Sequence, residues 1–165
     1  LVLAAGLGNR KLAPLIGLKQ PVRPQKGQIL VTQKIDKLID VPMTLLRQTA
    51  EGSIMIGDSK EEVGFDISSS IDIMAQIADR ARRTLPVLER QQIIRSWAAL
   101  RVMSPDGFPM YDQSESCPGG FAITCHSGVT LAAAHCFDMA ADIEAGNFSV
   151  GLQSFSERRF DVSAH

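Results

Sequence analysis

The sequence predicts an α+β fold, a mixed and largely antiparallel sheet with flanking helices. Three observations predict it. Short β-rich runs at 28–32, 43–48 and 53–57 fill the front half and are separated by Gly and Pro turns. One amphipathic helix follows over 71–85. A late strand, 121–125, then passes through a short glycine turn into an alanine-rich helix. Length suits about one domain. The chain is 45% hydrophobic and 21% charged, with a formal net charge of -1, which fits a globular core. No basic block or aromatic-rich basic face is present, so nucleic acid is not an expected partner. No apolar run reaches the roughly 18 residues that span a bilayer, and no signal peptide is visible. Cys117, Cys125 and Cys136 form no C-x-x-C pair, which argues against a disulfide framework or structural zinc and for a reduced, cytoplasmic setting.

In chain order, Val2-Leu3-Ala4-Ala5 reads as a buried strand that ends in small residues. Such a strand needs neighbours on both sides, and a start there suggests a piece of something longer. Gly6-Leu7-Gly8-Asn9 is a tight turn, with too few glycines for a phosphate loop. Lys11 to Ile16 suggests a short helical turn before Gly17. Pro21 and Pro24 favour extended chain into the strand at 28–32. Ala50-Glu51-Gly52 is a hairpin loop between the next two strands. Ser69 and Ser70 start the helix, with Asp72 three residues after Ser69. Ile73, Ile77, Ala81 and Leu85 make one apolar stripe, and Pro86 ends it. The expected role is a structural brace.

Ile93 to Pro109 is the most informative stretch. It is β-like, carries the lone Trp97, and places Arg101 between Leu100 and Val102 before the turn Ser104-Pro105-Asp106-Gly107. An arginine inside an apolar strand is costly to bury unless an anion meets it. That anion is either a carboxylate of the protein or the carboxylate of a ligand, and spacing alone does not decide. Another strand is expected after Pro109, then a polar loop over Ser114 to Gly120.

From His126-Ser127-Gly128 the chain turns into a helix that runs to Ala145 and ends at Gly146-Asn147. Its expected apolar face is Val129, Ala132, Cys136, Met139, Ala140 and Ile143, with His135 on the polar face beside Asp138 and Asp142. Strand, glycine turn and small-residue helix aim free N–H groups at a negative group, although ordinary capped junctions share this layout. The tail from Ser154, with Arg158 and Arg159, is expected to be loosely held. Leu131-Ala132-Ala133-Ala134-His135-Cys136 and Gly57-Asp58-Ser59 echo trypsin-like protease motifs. The echo fails, because the Ser precedes the His and no two-glycine oxyanion segment follows Ser59.

Several segments together do carry a resemblance. They are Ala4-Ala5-Gly6, Pro24-Gln25-Lys26-Gly27-Gln28, Arg47 with Gly52 to Gly57, Trp97-Ala98-Ala99-Leu100-Arg101 with Pro105 to Pro109, and Cys125 to Ala132. In this order and spacing the chain resembles the C-terminal half of a flavin-dependent oxidoreductase of the D-amino-acid oxidase family. Within the family it resembles the bacterial opine oxidase and hydrogen cyanide synthase subunits, which act in multi-subunit dehydrogenases. The resemblance implies FAD in the full-length protein and hydride removal from the α-carbon of an amino acid or related secondary amine, such as a D-amino acid, glycine or an opine. It implies that Arg101 holds the substrate carboxylate. It implies that Ala5, Gly6, His126, Ser127, Gly128, Val129, Thr130 and Leu131 approach the flavin. No residue is nominated as an acid or base. Residues 1–20 would be a remnant of the FAD-binding domain, 21–112 the substrate-binding domain, and 113–165 the return to the FAD-binding domain.

The chain departs from the family in lacking the glycine-rich dinucleotide fingerprint and its acidic ribose partner. The fragment alone is therefore expected to be inactive and to bind no FAD. Glycine oxidase carries a second Arg just after the position of His126, where the turn here is shorter and has Ser127, and Cys125 stands where the family often has Gly. Heteromeric dehydrogenase subunits and self-association through exposed apolar area are the implied protein contacts. Location peripheral to the inner membrane is an alternative to a free cytoplasmic one. Two other functions compete: a non-catalytic interaction module, and a hydrolase using His135.

Overall fold

The computed structural model describes residues 1–161. The chain divides into two units, one made of Leu1–Pro24 with the chain from Val102 onward, the other of Gln25–Arg101. Along the sequence the elements are β1 (Val2–Leu3), a 3-10 turn (Gly6–Gly8), α1 (Asn9–Leu12), a second 3-10 turn (Ala13–Ile16), β2 (Arg23–Lys34), β3 (Leu46–Gln48) and β4 (Ser53–Ile56). Then come α2 (Ile71–Thr84), a 3-10 turn (Pro86–Arg90), β5 (Ile93–Met103), β6 (Met110–Gln113) and β7 (Phe121–Thr124). The last helical run is α3 (Ala132–Ala134), a π-helical segment (His135–Met139) and α4 (Ala140–Ala145), followed by two 3-10 turns (Val150–Phe155 and Glu157–Phe160).

In the unit Gln25–Arg101 the strands form a four-stranded sheet in the order β3-β4-β2-β5, with β4 antiparallel to both β2 and β3. The pleat sends alternate side chains to one face, so Ile54 and Ile56 of β4 and Leu30 of β2 are buried together. Helix α2 lays its stripe on them. Ile77 and Ala81 are fully buried there, Ile73 and Leu85 pack at the margin, and Leu88 closes the cluster. The helix starts where the cap residue demands: the Ser70 side chain accepts from the N–H of Ile73. It stops before Pro86, as the sequence predicts. Between Val31 and Lys34 the β2–β4 register slips, and the Thr32 hydroxyl accepts the N–H of Ile54 in place of a backbone carbonyl. Gly52 closes the β3–β4 hairpin at φ 100°, the conformation that the predicted loop needs.

The other unit holds a three-stranded mixed sheet, β1-β7-β6, with β1 parallel to β7 and β7 antiparallel to β6. The predicted first strand is shorter than expected, because Ala5 already gives its N–H to the Asn9 side chain and leads into the 3-10 turn. Asn9 is fully buried. Its amide nitrogen lies within hydrogen-bond reach of Leu3 O, Ile123 O and the Thr124 hydroxyl, which ties the turn to the ends of β1 and β7. The expected loosely held tail is pinned as far as Asp161. Arg159 forks onto Asp106, Nε to Oδ2 at 2.8 Å and Nη2 to Oδ1 at 3.1 Å, and it also donates to Pro109 O. The buried Asp112 accepts from the Ser156 hydroxyl and the N–H of Glu157. The rest of that expected tail, residues 162–165, lies outside the described residues. The fold as a whole agrees with the predicted α+β class and its largely antiparallel sheet.

The last helix departs from its predicted face. Val129 is 95% exposed, Ala132, Cys136 and Ala140 are exposed too, and of the expected apolar face only Met139 is buried. His135 faces inward instead, with its Nε2 2.8 Å from the Tyr111 hydroxyl and the two rings edge to face. The π-helical segment explains the shift. A wider turn at His135–Met139 breaks the 3.6-residue spacing on which the predicted face depends.

Candidate functional site

The site in the unit Gln25–Arg101 is built around one cation. Arg101 lies near the end of β5, with 22% of its side chain exposed. Its Nη2 donates to Asp58 Oδ2 at 2.6 Å, and its Nη1 donates to Ser59 O at 3.0 Å and more distantly to Lys26 O at 3.5 Å. The two anions left open by the sequence are thus partly decided: a carboxylate of the protein meets Arg101. The fork is not exhausted. Its Nε–H and the second N–H of Nη2 meet no acceptor among the described residues.

Gly27 is what lets the guanidinium sit there. A Cβ on Gly27 would lie 2.4 Å from Nη2, 2.5 Å from Nη1 and 2.6 Å from Cζ. The guanidinium plane therefore rests on bare backbone, a place open only to glycine. The sequence marks this position only as part of a motif, and the close approach was not predicted.

Behind Arg101 a polar network fixes the segment 58–61. Lys26 and Glu61 exchange backbone hydrogen bonds at 2.9 Å in each direction. The Ser59 hydroxyl donates to Glu61 and accepts from the N–H of Gln28, and the Gln28 side chain donates to Glu61. Lys26 is 3% exposed and is met by Glu61 at 3.3 Å and Asp66 at 2.9 Å. The bond to Lys26 leads the causes that bring the Asp66 carboxyl down to about 2, and hydrogen bonding to Asp66 chiefly raises the Lys26 ammonium. A buried cation with two acidic partners is satisfied, and removing both would leave its charge uncompensated.

The residues expected beside the flavin lie in the other unit. Ala5 is exposed and leads into the 3-10 turn, and Gly6 holds φ 56° with space for a Cβ limited by Val102 Cγ2 at 3.3 Å. His126, Ser127, Gly128, Val129 and Thr130 are all exposed or nearly so, and Leu131 is half-buried. The helical hydrogen bonding begins with Leu131 N–H to Ser127 O at 2.9 Å. The N–H groups of Gly128, Val129 and Thr130 meet no acceptor among the described residues. Exposed amides at a turn into a helix suit the electron-rich edge of a bound ring. His135, the centre of the competing hydrolase reading, pairs with Tyr111, and burial pushes that phenol up to about 12.

Residues 1–141 match the family model described as FAD dependent oxidoreductase. The chain is 50% identical over 160 residues to an opine oxidase subunit of Agrobacterium tumefaciens (strain Ach5), covering 97% of this chain and 43% of that protein. It is 30% identical over 144 residues to glycine oxidase of Pseudomonas putida, covering 82% of this chain and 39% of that one. Among solved structures, glycine oxidase from Geobacillus kaustophilus superposes with a TM-score of 0.84 at 22% identity, over 99% of this chain and 45% of that one. L-proline dehydrogenase from P. horikoshii gives 0.84 at 23% identity, over 97% and 46%. The chain thus spans less than half the length of these relatives. Among the described residues no helix is long and apolar enough to cross a membrane. The matched family model, covering the sheets and most of the last helical run, settles the assignment: this chain belongs to the family of FAD-dependent oxidoreductases typified by D-amino-acid oxidase.

Proposed function

We propose that the chain is the substrate-side part of an enzyme that removes a hydride from the α-carbon of an amino acid or related secondary amine. Arg101 holds the substrate carboxylate in this reading. The observation that carries it is the guanidinium laid on Gly27, with the Nε–H and one Nη2 N–H still open for an acceptor. A planar fork matches a carboxylate edge, and such charged hydrogen bonds contribute about 1.5–3 kcal/mol each. FAD, when bound, supplies the acceptor for the hydride. Ala5, Gly6, His126, Ser127, Gly128, Val129, Thr130 and Leu131 line it, and the open amides of Gly128 to Thr130 stabilise negative charge at that edge. In domain terms, residues 1–20 and 113–165 belong with the cofactor and 21–112 with the substrate. The dinucleotide fingerprint is missing from the sequence, so the chain by itself binds no FAD and is inactive.

The relatives named as subunits, of opine oxidase and of hydrogen cyanide synthase, support a place in a multi-subunit dehydrogenase. The test is kinetic. In the full-length, flavin-loaded protein, Arg101→Ala raises KM for a carboxylate substrate by one to two orders of magnitude. An unchanged KM removes Arg101 from the site.

A further inference from the structure

We infer that Asp58 is a specificity-determining residue, and that Asp58 and Arg101 together select a zwitterion: the substrate's cationic nitrogen first lies on Asp58 and its carboxylate on Arg101, and the nitrogen gives up a proton to solvent before the hydride leaves the α-carbon. The inference rests on the reading of Arg101 as the carboxylate anchor. Asp58 shares only one oxygen with Arg101, Oδ2 on Nη2 at 2.6 Å. Its Oδ1 meets no donor among the described residues, and its side chain is 39% exposed. Acceptor and donor edges therefore stand side by side across one short contact. An α-amino acid carries its ammonium and its carboxylate on one carbon, as this pair requires.

The segment that carries Asp58 is fixed on both sides. Arg80 Nη2 donates to Asp58 O at 2.5 Å, and Ser59 O accepts from Arg101 itself. The Ser59 hydroxyl is tied to Glu61, whose backbone pairs with Lys26. The carboxylate is thus set beside the fork before any ligand arrives. A carboxylate ligand with no nitrogen meets Asp58 as a like charge and is disfavoured. A ligand with an ammonium or secondary ammonium next to its carboxylate is favoured by the same group. The two signs separate this role from that of a plain counter-ion, which would help both ligands alike by holding Arg101.

Glycine and propanoate test it, because they have the same number of heavy atoms and differ in ammonium against methyl. Their dissociation constants are measured by ligand-observed NMR on the full-length protein, without turnover. The wild type should bind glycine roughly tenfold tighter, the size expected of a partly screened charged contact. Asp58→Asn should weaken glycine about tenfold and leave propanoate as tight or tighter. Asp58→Glu, which keeps the charge, should retain the preference. No preference in the wild type, equal weakening of both ligands in Asp58→Asn, or lost preference in Asp58→Glu would overturn the inference. Arg101→Ala serves as the reference. If it leaves both ligands unaffected, the reading of Arg101 as anchor fails. If it weakens both while Asp58→Asn changes nothing, only the inference about Asp58 fails.

Discussion

Gly27→Ala isolates the placement of Arg101 from the stability of the sheet. The new methyl would lie 2.4–2.6 Å from three guanidinium atoms. Ordinary carbon contacts begin near 3.5 Å, so the guanidinium must retreat by about 1 Å. The atoms in the way are the far end of a flexible side chain, and Gly27 has no left-handed φ. The strand can therefore keep its path while Arg101 moves. That movement breaks the aligned edge offered to a substrate carboxylate. Losing one charged hydrogen bond costs about 1.5–2 kcal/mol, roughly a 10- to 30-fold rise in KM, less than removing the whole guanidinium. Steady-state kinetics on the full-length, flavin-loaded protein measure it, with thermal unfolding alongside. The melting temperature should fall by only a few degrees. A KM within threefold of the wild type, in a variant that folds, would refute the argument that the guanidinium's seat on Gly27 sets its function.

Three further outcomes rest on contacts elsewhere in the two units. Ile77→Ala, at a fully buried position between α2 and the sheet, should destabilise the unit Gln25–Arg101 by about 2–5 kcal/mol in denaturant unfolding. Asn9→Ala leaves the N–H of Ala5 and the Leu3 and Ile123 carbonyls short of a partner. It should cost about 1–3 kcal/mol and speed amide exchange at Ala5. Asp106 is held at about 2, below its usual 3.8, chiefly by the Arg159 fork. A depressed carboxyl contributes stability that is complete above about pH 4 and is lost as pH falls toward 2. With a third of the side chain exposed, that contribution is about 1 kcal/mol. Arg159→Gln should remove it, so the gap between wild type and variant should narrow as pH falls from 4 to 2.

The sequence was most legible where one periodicity governed a segment buried on one side. Helix α2 is the clearest case. Its Ser70 cap, its stripe of Ile73, Ile77, Ala81 and Leu85, and its Pro86 stop each act locally, and the sheet receives the face that the spacing marks. The last helical run breaks both conditions. Its π-helical turn changes the spacing midway, and most of its apolar side chains, Cys136 and Phe137 among them, are exposed. A rule that assigns apolar residues to a buried face has nothing to work on there. His135, chosen for the polar side by that rule, instead reaches Tyr111, whose position 24 residues earlier no helical wheel contains.

The candidate site was legible as a requirement before it was legible as a place. An arginine within an apolar strand demands an anion, and that demand follows from desolvation alone. Which anion answers it is a question of tertiary contact: Asp58 stands 43 residues before Arg101 and reaches it only because the Lys26–Glu61 bridge holds segment 58–61 against β2. The tripeptide Gly57-Asp58-Ser59 looks in sequence like a stray serine motif. In the fold its carboxylate and a carbonyl are the anchors of the guanidinium, while its hydroxyl points back to Glu61 and Gln28. Short motifs mislead here for a physical reason. The same three residues can serve a nucleophile or an ion pair, and the difference lies in which strand they are pinned to.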